Sequence, residues 1–244
     1  MKNIKLILEY KGTRYAGWQK QNNAVTVQQR LDEAIEKIMG EKPKTYASSR
    51  TDAGVHALGL CVSFRAGTRI PVEKLPLALN SALPDDIAVV SAQEAEADFH
   101  ARFSAKGKKY IYRICSRASR SPIHRDFAWH VTRSLDFEAM KEASGHFVGR
   151  HDFSAFKATG GSENSSVRTI YAAELIKSGD LIELHISGDG FLYNMVRIIA
   201  GTLVYVGLGK IAACEIPEII SSGDRTRAGK TAPPEGLFLS EVYY

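Results

Sequence analysis

The sequence predicts an α+β fold made of two similar halves. Segments of alternating apolar residues recur along the 244 residues, and each half interleaves them with two amphipathic helical patterns. That order is typical of sheets with helices laid on one face. A local echo, SSRTD at 48–52 and SSVRTI at 165–170, hints at duplication. The division falls at 1–105 and 106–244, and duplicated sheets predict a ligand cleft along their seam.

The elements follow in order. IKLILEY at 4–10 alternates, with Ile4, Leu6, Leu8 and Tyr10 on one face, and reads as a strand. Thr26 caps a helix on which Val27, Leu31, Ala34, Ile35 and Ile38 fall at helical spacing, closed by Gly40 and Pro43. LGLCVSF at 58–64 is a buried strand, 72–82 a helix, and IAVVSAQEA at 87–95 another strand. The second half opens with KKYIYRICS at 108–116, a strand with Tyr110, Tyr112 and Ile114 on one side. A capped helix over 134–149 comes next. TIYAAELIKSGDLIELHIS then predicts a hairpin turning at Ser178-Gly179-Asp180, with Ile182, Leu184 and Ile186 inward. FLYNMVRIIAGTLVYVG at 191–207 is a long apolar helix, and GLFLSEVYY closes the chain as a strand.

Composition narrows the class. A hydrophobic fraction of 44% and a charged fraction of 24% are those of an ordinary globular protein. The formal charge of +5 suits a polyanionic partner such as RNA. Cys61, Cys115 and Cys214 form no C-x-x-C pair; each reads as a small buried apolar residue, and together they suit a reducing cytoplasm. The opening MKNIKLILEYKG is too charged for a signal peptide, and the most apolar run, 198–209, is too short to span a bilayer.

Among chemical motifs, several are missing. The histidine spacings, His146 to His151 and His124 to His130, do not place two imidazoles one helical turn apart, so no metal site is expected. Walker, dinucleotide and nucleophile-elbow signatures do not occur. Three basic clusters remain: KGKKYIYR at 106–113, RASRSPIHR at 117–125 and RTRAGK at 225–230. Cations interleaved with tyrosines suit RNA, phosphates for the cations and unpaired bases for the rings, although lysines also guard edge strands. Arg197 interrupts an apolar run, so it either snorkels or faces a carboxylate. Asp52, between Arg50-Thr51 and Ala53-Gly54, is by itself either turn chemistry or an ionised carboxylate aimed at a substrate.

SSRTDAGVHA, followed by the KKYIYRI strand and the GFLYNMVRIIAGTL helix, resembles the tRNA pseudouridine synthase A family. YKGTRYAGWQKQ, TVQQRLDEAI, FHARFSAKGKKY and APPEGLFL extend the likeness over essentially the whole chain, in the family's order. The resemblance implies the pseudouridine synthase fold, with two halves packed as one catalytic unit around a central cleft and their sheets joined. It makes Asp52 the catalytic aspartate, Tyr110 the ring that stacks on the target uracil, and Arg50 the arginine beside the aspartate. Arg197 becomes the helix arginine that pairs with and supports it. A carboxylate beside a cation is anionic at neutral pH. It would either attack ribose C1′ or help remove a ribose proton to give a glycal. No cofactor is required, because the reaction carries no group and changes no oxidation state. The implied substrate is the anticodon stem-loop of tRNA, at tRNA positions 38, 39 and 40, and the implied assembly is a cytoplasmic homodimer. One departure is Leu60, where the family commonly has Gln. Two other readings stand beside this one: a non-catalytic RNA-binding module or tRNA chaperone, and a glycosidase using Asp52 with a second carboxylate.

Overall fold

The computed structural model describes residues 1–161 and 163–244. By its internal contacts the chain forms two compact units, Met1–Lys106 with Phe238–Tyr244, and Gly107–Leu237.

In the first unit, β1 (Lys2–Tyr10) buries Ile4, Leu6, Leu8 and Tyr10, as the period-two pattern requires. Helix α1 (Val27–Met39) begins where Thr26 accepts a hydrogen bond from the Gln29 N–H and ends at Gly40, whose φ of 73° is left-handed. A two-residue strand, β2 (Tyr46–Ala47), precedes β3 (His56–Ala66). The predicted helix over 72–82 is a 3₁₀ turn at Val72–Lys74 running into α2 (Leu75–Asn80), after which β4 (Ile87–Glu94) follows. Strand β1 lies antiparallel to both β3 and β4, and β2 pairs antiparallel with β3. Leu60, the residue that departs from the resemblance, is fully buried opposite Leu8. It is a core residue here.

In the second unit, β5 (Gly107–Ser116) carries a parallel three-residue strand, β6 (Trp129–Val131), on one side. Helix α3 (Phe137–Gly145) is capped by Asp136, whose carboxylate accepts from the Ala139 N–H. Short β7 (Gly149–Asp152) leads to the hairpin of β8 (Val167–Ser178) and β9 (Leu181–Gly188). Ser178 faces Leu181, so the turn is the two residues Gly179-Asp180, and the φ of 58° at Gly179 matches the type II′ pattern of tight hairpins. Ile182, Leu184 and Ile186 are buried as expected. The order is β5-β9-β8-β7, all antiparallel.

Helix α4 (Met195–Gly207) is almost wholly buried, and α5 (Ile216–Ser222) follows it. The apolar pattern placed the start of α4 at 191, but Asn194 has φ 59°, so helical geometry begins only after it. The final strand, β10 (Leu237–Tyr243), runs parallel to β3 through Phe238 and Leu239, which is why the last residues belong with the first unit. Of the cysteines, Cys61 and Cys115 are buried, but Cys214 is exposed. It sits on a 3₁₀ turn outside the helix faces that form the core.

Candidate active site

Asp52 lies on the loop between β2 and β3, and a second loop from far away in sequence fixes that segment. Residues 11–18 lie against it backbone to backbone. The Trp18 N–H donates to the Thr51 carbonyl at 3.0 Å, and the Gly54 N–H to the Tyr15 carbonyl at 3.3 Å. Within the loop the Val55 N–H donates to the Asp52 carbonyl at 3.1 Å, and Gly54, at φ 78°, turns the chain. Thr51 is held a second time, its hydroxyl 2.7 Å from that of buried Tyr10.

This approach needs glycine. A β-carbon on Gly17 would lie 2.5 Å from the Thr51 carbonyl oxygen, and Gly17 is also at φ 86°. A β-carbon on Gly12 would lie 1.9 Å from the Val55 oxygen. Between these contacts, the Gly12 N–H donates to His56 Nδ1 at 3.0 Å, while the His56 ring stacks on Phe238 with centroids 4.7 Å apart. Tyr15 and Arg14 both donate to Asp86, at 2.5 and 2.8 Å. Burial pushes the Asp86 carboxyl up, but these hydrogen bonds and the Arg14 charge outweigh it and leave the group below its ordinary value.

The result is a rigid turn with Asp52 half-exposed at its head. Turn chemistry and an accessible carboxylate are therefore not alternatives, because the Asp52 carbonyl accepts within the turn while the residue keeps part of its surface exposed. Arg50 is exposed, and its guanidinium comes to 3.5 Å from Gln19. The supporting residues Tyr10, Gly12, Gly17, Thr51 and His56 were not legible as such. Their signal was the Gly-x₄-Gly spacing of KGTRYAGW, which reads equally well as two unrelated turns.

In the second unit Tyr110 and Tyr112 share a face of β5 but differ in setting. Tyr112 is fully buried, its hydroxyl donates to the Pro233 carbonyl at 2.7 Å, and burial raises its pKa well above the usual phenol value. Tyr110 sits opposite Ile186, is half-exposed, and meets the edge of Phe191 at 84° with centroids 5.2 Å apart. Only the second of these rings retains accessible surface for a ligand.

Arg197 is in the first turn of α4, between buried Val196 and Ile198. Its Nε donates to the Ala232 carbonyl at 2.7 Å and a terminal nitrogen to Asn194 Oδ1 at 2.8 Å. The Ala232 N–H in turn donates to the Arg197 carbonyl at 3.0 Å. The strand of chain holding Ala232 lies so close to α4 that a β-carbon on Gly201 would fall 1.8 Å from the Lys230 oxygen. Asn194 is the one non-glycine residue at positive φ among the described residues, a conformation asparagine tolerates.

The basic clusters divide. Arg113 pairs with Glu183 at 2.7 Å, Arg117 donates to the Ser119 and Arg120 carbonyls, and Arg227 pairs with Glu218. Arg225 turns inward to Gly229 and Thr231, and burial lowers its pKa. These guanidiniums hold local structure. Arg120, Arg125 and Lys109 do not share those ion pairs, and the first two are exposed. Among the described residues no group of three or more His, Cys, Asp or Glu could hold a metal ion, and no helix is long and apolar enough to cross a membrane.

Comparison with known proteins adds the last observation. The family described as tRNA pseudouridine synthase matches residues 6–104 and 143–244. Proteins named tRNA pseudouridine synthase A are 53% identical over all 244 residues in Thermoanaerobacter sp. (strain X514), with 100% of both chains covered. One from Acetivibrio thermocellus is likewise 53% identical, and one from Clostridium kluyveri 48%, each over 100% of both chains. A solved archaeal box H/ACA sRNP Nop10-Cbf5 complex aligns over 97% of this chain and 57% of that one, at 10% identity and a TM-score of 0.39. With matches spanning both units and including the loops that clamp Asp52, the chain belongs to the tRNA pseudouridine synthase family.

Proposed function

We propose that the protein isomerises uridine to pseudouridine in the anticodon stem-loop of tRNA, at positions 38, 39 and 40, with Asp52 as the nucleophile. The observation that carries this reading is the clamped turn, which fixes the backbone at Thr51-Asp52 from two sides while Asp52 stays half-exposed. A nucleophile gains most from this arrangement, because the entropy of aiming it has been removed before substrate arrives.

The bonds balance without a cofactor. The C1′–N1 bond breaks, the uracil turns, a C1′–C5 bond forms, and the proton displaced from C5 is matched by one gained at N1. Asp52 acts on the sugar, and direct attack at C1′ gives an acylal ester that C5 then displaces. Tyr110 holds the detached base against its ring, Arg50 binds substrate beside the aspartate, and Arg197 supports the carboxylate. Extruding the nucleotide from its stem costs a few kcal/mol, offset by stacking and phosphate contacts. Reading several neighbouring positions requires recognition of RNA shape more than of base edges. The protein acts as a homodimer in the cytoplasm.

The test is direct. Purified protein is incubated with unmodified tRNA, and pseudouridine is mapped by carbodiimide labelling at nucleotide resolution. New stops at positions 38 to 40, absent with Asp52→Asn, are expected. Release of free uracil would mark a glycosidase, and tRNA binding without modification a chaperone. Deuterium at ribose C2′ separates the two chemical routes, since only the glycal route breaks that bond and slows.

A further inference from the structure

The first unit carries an exposed aromatic ladder that the reaction does not use. The Tyr46 ring meets His100 with centroids 4.5 Å apart, and His100 meets Phe103 at 4.4 Å. A cation lies against each outer ring: Lys44 Nζ is 5.2 Å from the Tyr46 centroid, and the Arg102 guanidinium carbon 5.4 Å from that of Phe103. Phe103 is 75% exposed and Tyr46 37%, so the outer rings present area to solvent instead of filling the core.

The ladder is built rigidly. Tyr46 faces Ser63 across the β2–β3 pair, and the buried Ser63 hydroxyl accepts from the Ala101 N–H at 3.0 Å. The Ala101 carbonyl accepts from the Tyr244 hydroxyl at 2.8 Å. Both backbone groups of Ala101 are thus fixed, which sets the turn bearing His100 and Phe103 beside β2. The His100 ring is oriented in turn, because its Nδ1 accepts from the Arg102 and Phe103 N–H groups at 3.1 and 3.4 Å. His100 and Ser104 also exchange hydrogen bonds of 3.0 and 2.9 Å, through the His100 N–H and the Ser104 N–H. Arg65 anchors the preceding loop through the Ala97 carbonyl.

From this geometry we infer that Tyr46, His100 and Phe103 form a stacking platform for an unpaired nucleobase of the RNA, outside the reacting uridine, with Lys44 and Arg102 neutralising the flanking phosphates. Flat π-faces with cations beside them are what single-stranded nucleic acid binds, since every base has a face to stack and every nucleotide a charge to neutralise. Exposed Phe103, fixed in place, loses little entropy on binding. The inference rests on tRNA being the substrate and names a contact of that substrate beyond the reacting nucleotide.

Binding of unmodified tRNA to the full chain, titrated at several salt concentrations, tests it. Phe103→Ala is expected to weaken binding by about 5- to 100-fold, the range for loss of one stacked base, while leaving the salt slope unchanged. Phe103→Trp restores affinity. Arg102→Ala reduces the slope by about one, as a lost phosphate contact does. A blunt RNA duplex without unpaired bases binds wild type and Phe103→Ala alike. If Phe103→Ala binds tRNA as wild type does, or weakens duplex binding equally, the platform is refuted. A wild-type chain that forms no pseudouridine yet loses tRNA affinity on Phe103→Ala would instead overturn the function and leave the platform standing.

Discussion

The Asp52 turn and the start of α4 both fix a charged residue by bringing two backbones closer than any β-carbon allows, but they do so through different atoms. At Asp52 the clamp acts on main chain and on Thr51: Trp18 and Tyr15 reach across, and Gly17 admits the contact. At Arg197 the guanidinium itself is part of the clamp, donating to Ala232 and to Asn194. The described contacts that hold the Asp52 turn run through main-chain atoms and Thr51, whereas those at α4 include the Arg197 guanidinium. This contrast predicts that function and stability separate more at the first site than at the second.

The sharpest test of that contrast is Asp52→Asn. Activity should fall by at least about 10⁴-fold, as loss of a nucleophile does, while thermal unfolding stays at the wild-type temperature. A protein that unfolds early would show that the carboxylate holds the turn, and the contrast would collapse.

Gly17→Ala attacks the clamp instead of Asp52 itself. A left-handed φ and a 2.5 Å contact with the Thr51 oxygen must both be relieved. Stability should drop by about 2–4 kcal/mol in chemical denaturation, from strain plus overpacking. Because displacement of a catalytic group by an ångström costs about 10²-fold, kcat should fall by roughly that factor with Asp52 intact.

Arg197→Lys keeps the charge and removes the planar fork. The Ala232 carbonyl and Asn194 amide oxygen lose a charged donor, which predicts a loss of about 1–3 kcal/mol in denaturant titration together with reduced kcat. Unchanged stability would put Arg197 in the same class as Asp52.

Asp86→Asn should have the smallest effect, about 1 kcal/mol at neutral pH. The folded carboxyl sits below its ordinary value, so its contribution is present above the unfolded value and is lost as pH falls through the folded one. The stability gap between wild type and variant, followed by thermal scans, should close only below the ordinary aspartate range. A gap that persists in acid would assign the effect to packing of Tyr15.

Much of this architecture was legible along the chain because its causes are local. Thr26 and Gly40 cap α1 through atoms three and four residues away, and β1 and β9 show their buried faces as simple alternation. Shorter elements escaped: β2, β6 and β7 have too few residues to display a period, and their pairing partners supply most of their definition. At the start of α4 the apolar run continued past the point where Asn194 breaks the helix, since hydrophobicity says nothing of φ. Arg225 looked like part of an RNA-facing cluster, yet burial against Gly229 and Thr231 depends on a fold of the chain over α4 that no local pattern announces.

By itself the sequence determined where the longer helices and strands lie and which aspartate deserved suspicion, since both rest on residue types at short, fixed spacing. Only the tertiary structure decided that Gly17 serves Asp52 and that β10 returns beside His56. The same holds for Tyr112, which is core while Tyr110 keeps an open face. Those are facts about distance between residues remote in sequence. Such distances are set when many buried surfaces are satisfied together, and no single stretch of chain contains that information.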